Sequence, residues 1–389
     1  MNIGILLLGL AYVLSQFFRA FLAVLSEILE ADLGATPDDL ALASGLWFLV
    51  FAACQIPIGA ALDSIGPRRT SGWLLLVGGA GGTAVFAMAT TPVHISIAMA
   101  LIGVGCAPVL MASYYIFARD YPPAQFALLA SLMVGIGSLG NLVAAYPTAI
   151  AAELMGWRAT LWVLCAMTIV VALGTLIAVR DPERLESETA GSLTELARIK
   201  ALWVIFPLIG VSYAFPGAVR GLWIGPYLAD VFGTDTTAIG QATLLMGLAM
   251  VFGALAYGWA DRINPSRKWL IVAGTALALT AGGILVLSPQ GNYGLSVAMM
   301  CAVGFFGASY PVIMAHGRSF LPPHLIGRGV TMLNLFSVGG VGVFQFISGQ
   351  VYRAALPSET VVAPYATVFA LFWTVLAFGF VIYLFSRDN

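Results

Sequence analysis

Charge is what this chain of 389 residues has least of: Lys, Arg, Asp and Glu make up 9% of it, against about 25% in an ordinary soluble domain. So few charges cannot cover a water-facing surface, which excludes a soluble globular protein. The 17 basic and 18 acidic residues leave a net charge of -1, so no overall polarity points to nucleic acid. Cysteine is confined to Cys54, Cys106, Cys165 and Cys301, with no CxxC spacing, and histidine to His94, His316 and His324, none at metal-ligand spacing. A disulfide framework and a zinc site are therefore excluded, and no metal or other cofactor is expected. The chain has no glycine loop of the Walker type to cradle phosphates, which excludes ATP as the driver. It also lacks the convergent nucleophile and base that an enzyme needs, so no enzymatic activity is expected.

What is present is apolar. Hydrophobic residues make up 60% of the chain, and glycine contributes 43 positions. A membrane-crossing helix needs about 20 mostly apolar residues. Twelve such stretches are found, the first near 3 to 28 and the last near 364 to 385. The expected fold class is an all-α membrane protein of twelve transmembrane helices in two six-helix bundles. The bundles are residues 1–179 and 202–389, joined by a charged, amphipathic inner linker at 180–201. With both termini cytoplasmic, thirteen basic residues lie inside and two, Arg158 and Arg353, outside. That bias fixes the orientation. The first stretch has neither a basic n-region nor a small-residue cleavage site, so it reads as a retained helix. A multi-pass protein of the cytoplasmic membrane follows, with the lipid bilayer as its surroundings, no nucleic-acid partner, and a monomer as the expected state.

The remaining two basic residues, Arg19 and Arg220, fall inside apolar runs. They stand 201 positions apart, in GLAYVLSQFFR and GVSYAFPGAVR, each with a tyrosine seven residues before it (Tyr12, Tyr213) and a glycine ten before it (Gly9, Gly210). Other landmarks repeat at nearly the same offset: Asp63 with Asp261, Arg69 with Arg267, Gly103 with Gly304. Repeats of this parallel kind are one of the known transporter architectures, with the substrate site near the midplane. A guanidinium near the bilayer centre costs roughly 2.5 to 3.5 kcal/mol on insertion scales, so it is kept where it faces a polar cavity or a partner. Helical spacing gathers Tyr12, Ser15 and Gln16 around Arg19, and Tyr213, Pro216, Trp223 and Tyr227 around Arg220. Arginine's planar fork suits a carboxylate or phosphate. Glycines such as Gly135, Gly137, Gly140, Gly339, Gly340 and Gly342 read as close helix packing.

Between the second and third stretches the chain reads GAALDSIGPRR, with Gly59, Asp63, Gly66, Arg68 and Arg69. This resembles the loop signature of the major facilitator superfamily, at the inner loop where that family carries it. A weaker copy, GWADRINPSRK, holds Asp261, Arg262, Arg267 and Lys268. The resemblance implies a secondary transporter working by alternating access, with a loop latch formed by Gly59, Asp63, Gly66, Arg68, Arg69, Asp120 and Asp261. Asp120 is the expected partner of Arg68 or Arg69. The segments FFRAFLAVLSEIL and RGLWIGPYL resemble the first and seventh helices of the organophosphate:phosphate antiporters and of the anion:cation symporters. That likeness implies that Arg19 and Arg220 hold an anion.

The expected cargo is thus a small organic anion bound by Arg19, Arg220, Tyr12, Gln16, Tyr213, Trp223 and Tyr227, with a coupling ion as a further expected partner. The residues leave open a carrier of a neutral or aromatic metabolite, a drug or metabolite exporter, and arginines that only hold a gate. Glu27 and Glu153 are the nearest acids for coupling, both near outer ends. Tyr114, Tyr115, Asn141, Asn334 and Gln345 are the other polar side chains in cavity-lining stretches.

Overall fold

Proline sets several of the helix starts. A computed structural model describes residues 3–121, 123–182, 196, 198–263, 266–322, 326–357 and 360–388. In it Pro37, Pro67, Pro92 and Pro364 occupy the first turn of their helices, where the missing N–H is no loss. The helix after Thr36 opens on a capping box, Thr36 with Asp39.

Among the described residues the regular structure is entirely helical, with no strand. Ten spans are long and apolar enough to cross a bilayer, and two bent pairs bring the number to twelve when each counts as one. The expected twelve-helix membrane fold is therefore found. The first bent pair is α1 (Ile3–Phe17) with α2 (Leu22–Leu33), which meet at 52°. Then come α3 (Pro37–Ser64), the spans Pro67–Ala87 and Pro92–Phe117, the second bent pair Leu132–Val143 with Tyr146–Met155 at 41°, and Trp157–Ala178.

The later spans begin with one built of three α-helical pieces and a π-helical one: α4 (Lys200–Ser212), α5 (Ala214–Ala218), the π-helical segment Val219–Trp223 and α6 (Ile224–Phe232). Thr236–Ile263, Arg267–Leu287 and Tyr293–Ser319 follow, and the last two are α7 (Ile326–Ala355) and Ala363–Tyr383.

The chain divides into two compact units. One comprises Met1–Glu186 with Asp235–Gln241, the other Ser187–Thr234 with Ala242–Asn389. Of the linker expected at 180–201, residues 183–195 and 197 lie outside the described residues.

Large apolar side chains cover the outside, among them Val170, Ile177, Leu255, Trp259 and Phe378, each more than 60% exposed. Such a surface is stable only in hydrocarbon. Inside, hydroxyls are satisfied locally: Thr83, Ser113, Thr168 and Thr175 each donate to the carbonyl four residues back. Glycine brings backbones into contact. A methyl group on Gly140 would sit 1.9 Å from the Val13 carbonyl oxygen, and one on Gly340 would sit 1.9 Å from that of Gly210. The 200-residue repeat thus extends to packing, each unit pressing a glycine against its first span. Gly137 leaves the same kind of room for the Tyr12 ring. Gly135 differs, with nothing within 4 Å.

Candidate functional site

Both intramembrane arginines sit where their helices cease to be regular α-helix. α1 stops at Phe17, residues 18–21 form a turn, and α2 begins at Leu22 without a side-chain cap. Arg19 lies within that turn. A break of this kind releases backbone groups from the helical ladder, and an uncapped helix N-terminus favours negative charge. The guanidinium carbon rests 5.1 Å from the centre of the Trp47 ring and 5.0 Å from that of Phe51. These two aromatics are four apart on α3 and stack on each other, with centroids 5.0 Å apart. α3 can present that wall because Gly103 lets the span behind it approach the Trp47 backbone. Cys106, in that same span, is within hydrogen-bonding reach of Ser15.

In the second unit Arg220 occupies a π-helical segment, Val219–Trp223, between α5 and α6, and is only 2% exposed. Single π turns recur at functional sites because the extra residue re-aims side chains. It also breaks the spacing rule by which Trp223 and Tyr227 were expected to share a face with Arg220. Trp223 donates its indole N–H to Ser348 Oγ at 2.9 Å and packs on Tyr352 and Tyr365. Tyr227 donates to the Pro289 carbonyl at 2.5 Å and meets Ser296 Oγ at 2.9 Å, with its ring against Tyr365 and Phe369. Tyr365 in turn donates to the Asp230 carboxylate, an acid the sequence reading passed over. Trp223 and Tyr227 are fully buried, their polar groups taken up within the unit. Tyr213 fills the joint between α4 and α5 and lies near Tyr310, which donates to Asn334 at 2.8 Å.

In the first unit the residues grouped with Arg19 lie on the helix that precedes it. Gln16 stands on the last turn of α1, directly before the break, and Tyr12 one turn earlier, packed on Gly137. Trp47 and Phe51 were missed. Their signal was present in WFLVF, two aromatics four apart on one helix face.

The loop signature is built differently from what the resemblance implied. Gly66 has φ +100°, a backbone region that favours glycine, and it caps the helix Pro67–Leu74. The Asp181 carboxylate lies across that helix start. It accepts the Arg68 backbone N–H at 2.7 Å, with the Arg68 Nε 3.8 Å from its second oxygen. The partner of Arg68 is thus Asp181, not Asp120. Asp120 and Arg69 are exposed, Gly59 faces open space, and the Asp63 side chain lies outside the described residues. In the second unit Asp261 receives both Arg267 Nε, at 2.8 Å, and Nη2, at 3.2 Å. There the Lys268 N–H donates to Asp388 at 3.3 Å, the counterpart of the Asp181 cap.

Removing the Asp181 cap is expected to matter more than removing its ion pair, because about a third of each charged side chain is exposed. Asp181→Ala should lower stability by about 1 kcal/mol, whereas Asp181→Asn, which keeps an acceptor, should lose less. Thermal melts of the two variants beside the parent decide this. Equal losses would show the charge, not the cap, to be what counts.

A polytopic carrier made of two repeated halves, each with one arginine at a helix irregularity, is the class this arrangement defines. The chain belongs to the Major Facilitator Superfamily, whose sequence model matches residues 8–345. It is a multi-pass membrane transporter. The sialic acid transporter NanX of Escherichia coli (strain K12) is 21% identical to it over 360 residues, 87% of this chain and 85% of that protein. An MFS-type efflux pump of Mycolicibacterium smegmatis (strain ATCC 700084 / mc(2)155) is 25% identical over 344 residues, 82% of this chain and 74% of the pump. The fold is similar to that of a bacterial homologue of the human lysosomal transporter Spinster, in an inward-facing and occupied conformation. That likeness has a TM-score of 0.78 at 18% identity, across 98% of this chain and 96% of the other.

Proposed function

We propose that this transporter moves a small organic anion across the cytoplasmic membrane by alternating access, both termini cytoplasmic, with Arg19 and Arg220 supplying the positive charge. The observation that carries the reading is that each unit keeps an arginine at an interruption of the α-helix, Arg220 buried and Arg19 half-buried. Interrupted helices place backbone dipoles as well as side chains at a substrate's charge. A relative named for sialic acid fits an anionic cargo. Tyr12 and Gln16, on α1 before Arg19, and Tyr213, at the joint before Arg220, are assigned to the cargo site with them, while Trp223 and Tyr227 act as wall. Engagement of their polar atoms within the unit weighs against a neutral aromatic cargo. The loops holding Gly59, Asp63, Gly66, Arg68, Arg69, Asp120 and Asp261 act as the latch that biases one conformation.

The test is a thermal-shift screen of the purified protein against organic phosphates, carboxylates and neutral aromatics, repeated on Arg19→Lys and Arg220→Lys. Ligand binding to the folded state raises the melting temperature. The expected result is stabilisation by an anion that disappears in both variants, since a point charge does not replace the fork. Stabilisation by neutral compounds alone, kept in both variants, would make the arginines structural.

A further inference from the structure

Three polar atoms at the break between α1 and α2, and on the wall beside it, make no hydrogen bond among the described residues: Gln16 Oε1, Arg19 Nε and Trp47 Nε1. Trp47 and Gln16 are buried, at 0% and 8% exposure, and Arg19 is half-buried. A buried indole N–H normally finds an acceptor, and leaving a buried polar group unmatched costs about 1–3 kcal/mol. Their residues meet at one joint of the fold. Gln16 stands on the last turn of α1 with the arginine just beyond, and the guanidinium lies 5.1 Å from the indole centre. An isolated unmatched group is a packing flaw, whereas three at one joint have the character of a binding surface.

The chemistry of the set is specific. Arg19 Nε and Trp47 Nε1 only donate, one of them from a cation, so together they suit an acceptor bearing negative charge. Gln16 Oε1 only accepts, so it suits a donor next to that charge. Phe51 adds a flat apolar face under the guanidinium.

We propose that Trp47 is a direct cargo contact whose indole N–H shares one anionic group with Arg19, and that Gln16 accepts a hydrogen bond from a hydroxyl or amide next to that group. The cargo class is then a hydroxy acid or an acylamino acid, not an unadorned carboxylate. This rests on the anion reading above and narrows it.

The experiment uses the full chain in detergent and three probe sets: plain acids (acetate, propionate, hexanoate), their substituted counterparts (glycolate, glycerate, gluconate, N-acetylglycine), and the neutral polyols glycerol and sorbitol. Binding is read by thermal shift at increasing concentration, and the ligand-free melt of each variant checks its fold. The parent is expected to bind at least one substituted acid about tenfold more tightly than the matching plain acid. Trp47→Phe keeps a ring beside Arg19 and removes only the indole N–H, so it should weaken both kinds of acid by about tenfold. Gln16→Met should weaken the substituted acid about tenfold more than it weakens the plain acid, and so erase the preference between them.

Equal binding of plain and substituted acids by the parent overturns the proposal and leaves the anion reading intact. Binding of polyols alone overturns both. Parent-like behaviour of Trp47→Phe and Gln16→Met, or no response to any acid at millimolar concentration, also overturns the proposal. If Trp47→Phe fails to fold, Gln16→Met decides the matter alone.

Discussion

Replacing Gly140 with alanine is expected to remove most of the folded protein. The added methyl would lie 1.9 Å from the Val13 carbonyl oxygen and 3.0 Å from the Phe17 nitrogen, so the obstacle is backbone on both sides. A flexible side chain could swing away, but a helix can only retreat as a body, and that retreat opens the whole contact with α1. Overpacking in a well-fitted core costs about 1–3 kcal/mol, and a backbone collision belongs at or above the top of that range. Small residues matter more here than in water, because lipid gives helices no hydrophobic reason to associate. Gly340→Ala should behave alike, since its methyl would meet the Gly210 carbonyl at the same 1.9 Å. Gly135→Ala is the control, with open space around it. Detergent-extracted yield and melting temperature are the measurements. A Gly140→Ala protein that melts with the parent would show that α1 has room to move.

Gln345→Leu is expected to act in the opposite direction and raise the melting temperature by several degrees. Gln345 lies on α7 with a fully buried side chain, and among the described residues neither end of its amide makes a hydrogen bond. Each unmatched buried group costs about 1–3 kcal/mol, and leucine of similar bulk removes two of them. The residue therefore weakens the fold as it stands, a pattern common at functional positions. Transport by the stabilised variant, reconstituted in liposomes, is expected to fall. A variant that is no more stable than the parent would mean the amide is satisfied after all.

The physical class of the protein was legible because hydropathy and charge bias report directly on solvent: twelve apolar stretches and few charges admit one kind of surroundings. Arg19 and Arg220 were legible because a charge in an apolar run stands out without any knowledge of the fold. Their surroundings were harder to read. Face arithmetic assumes an unbroken helix of 3.6 residues per turn, and the chain departs from it at the turn over residues 18–21 and at the π segment Val219–Trp223. That is why Trp223 and Tyr227, grouped with Arg220 by spacing, turn out to be bonded to Ser348 and Pro289. Trp47 went unnoticed because its closeness to Arg19 depends on two helices meeting. Asp181 was hidden by distance in sequence, since it caps a helix start 113 residues earlier in the chain.

That separation has a consequence for synthesis. The third span begins at Pro67, yet the carboxylate that quiets its first turn leaves the ribosome only after the remaining spans of the unit have been made. Until then the helix start stays uncapped. The second unit repeats the order, with Lys268 waiting 120 residues for Asp388. Each half therefore carries its own signal of completion, set when its last span is in place and its own beginning can be tied off.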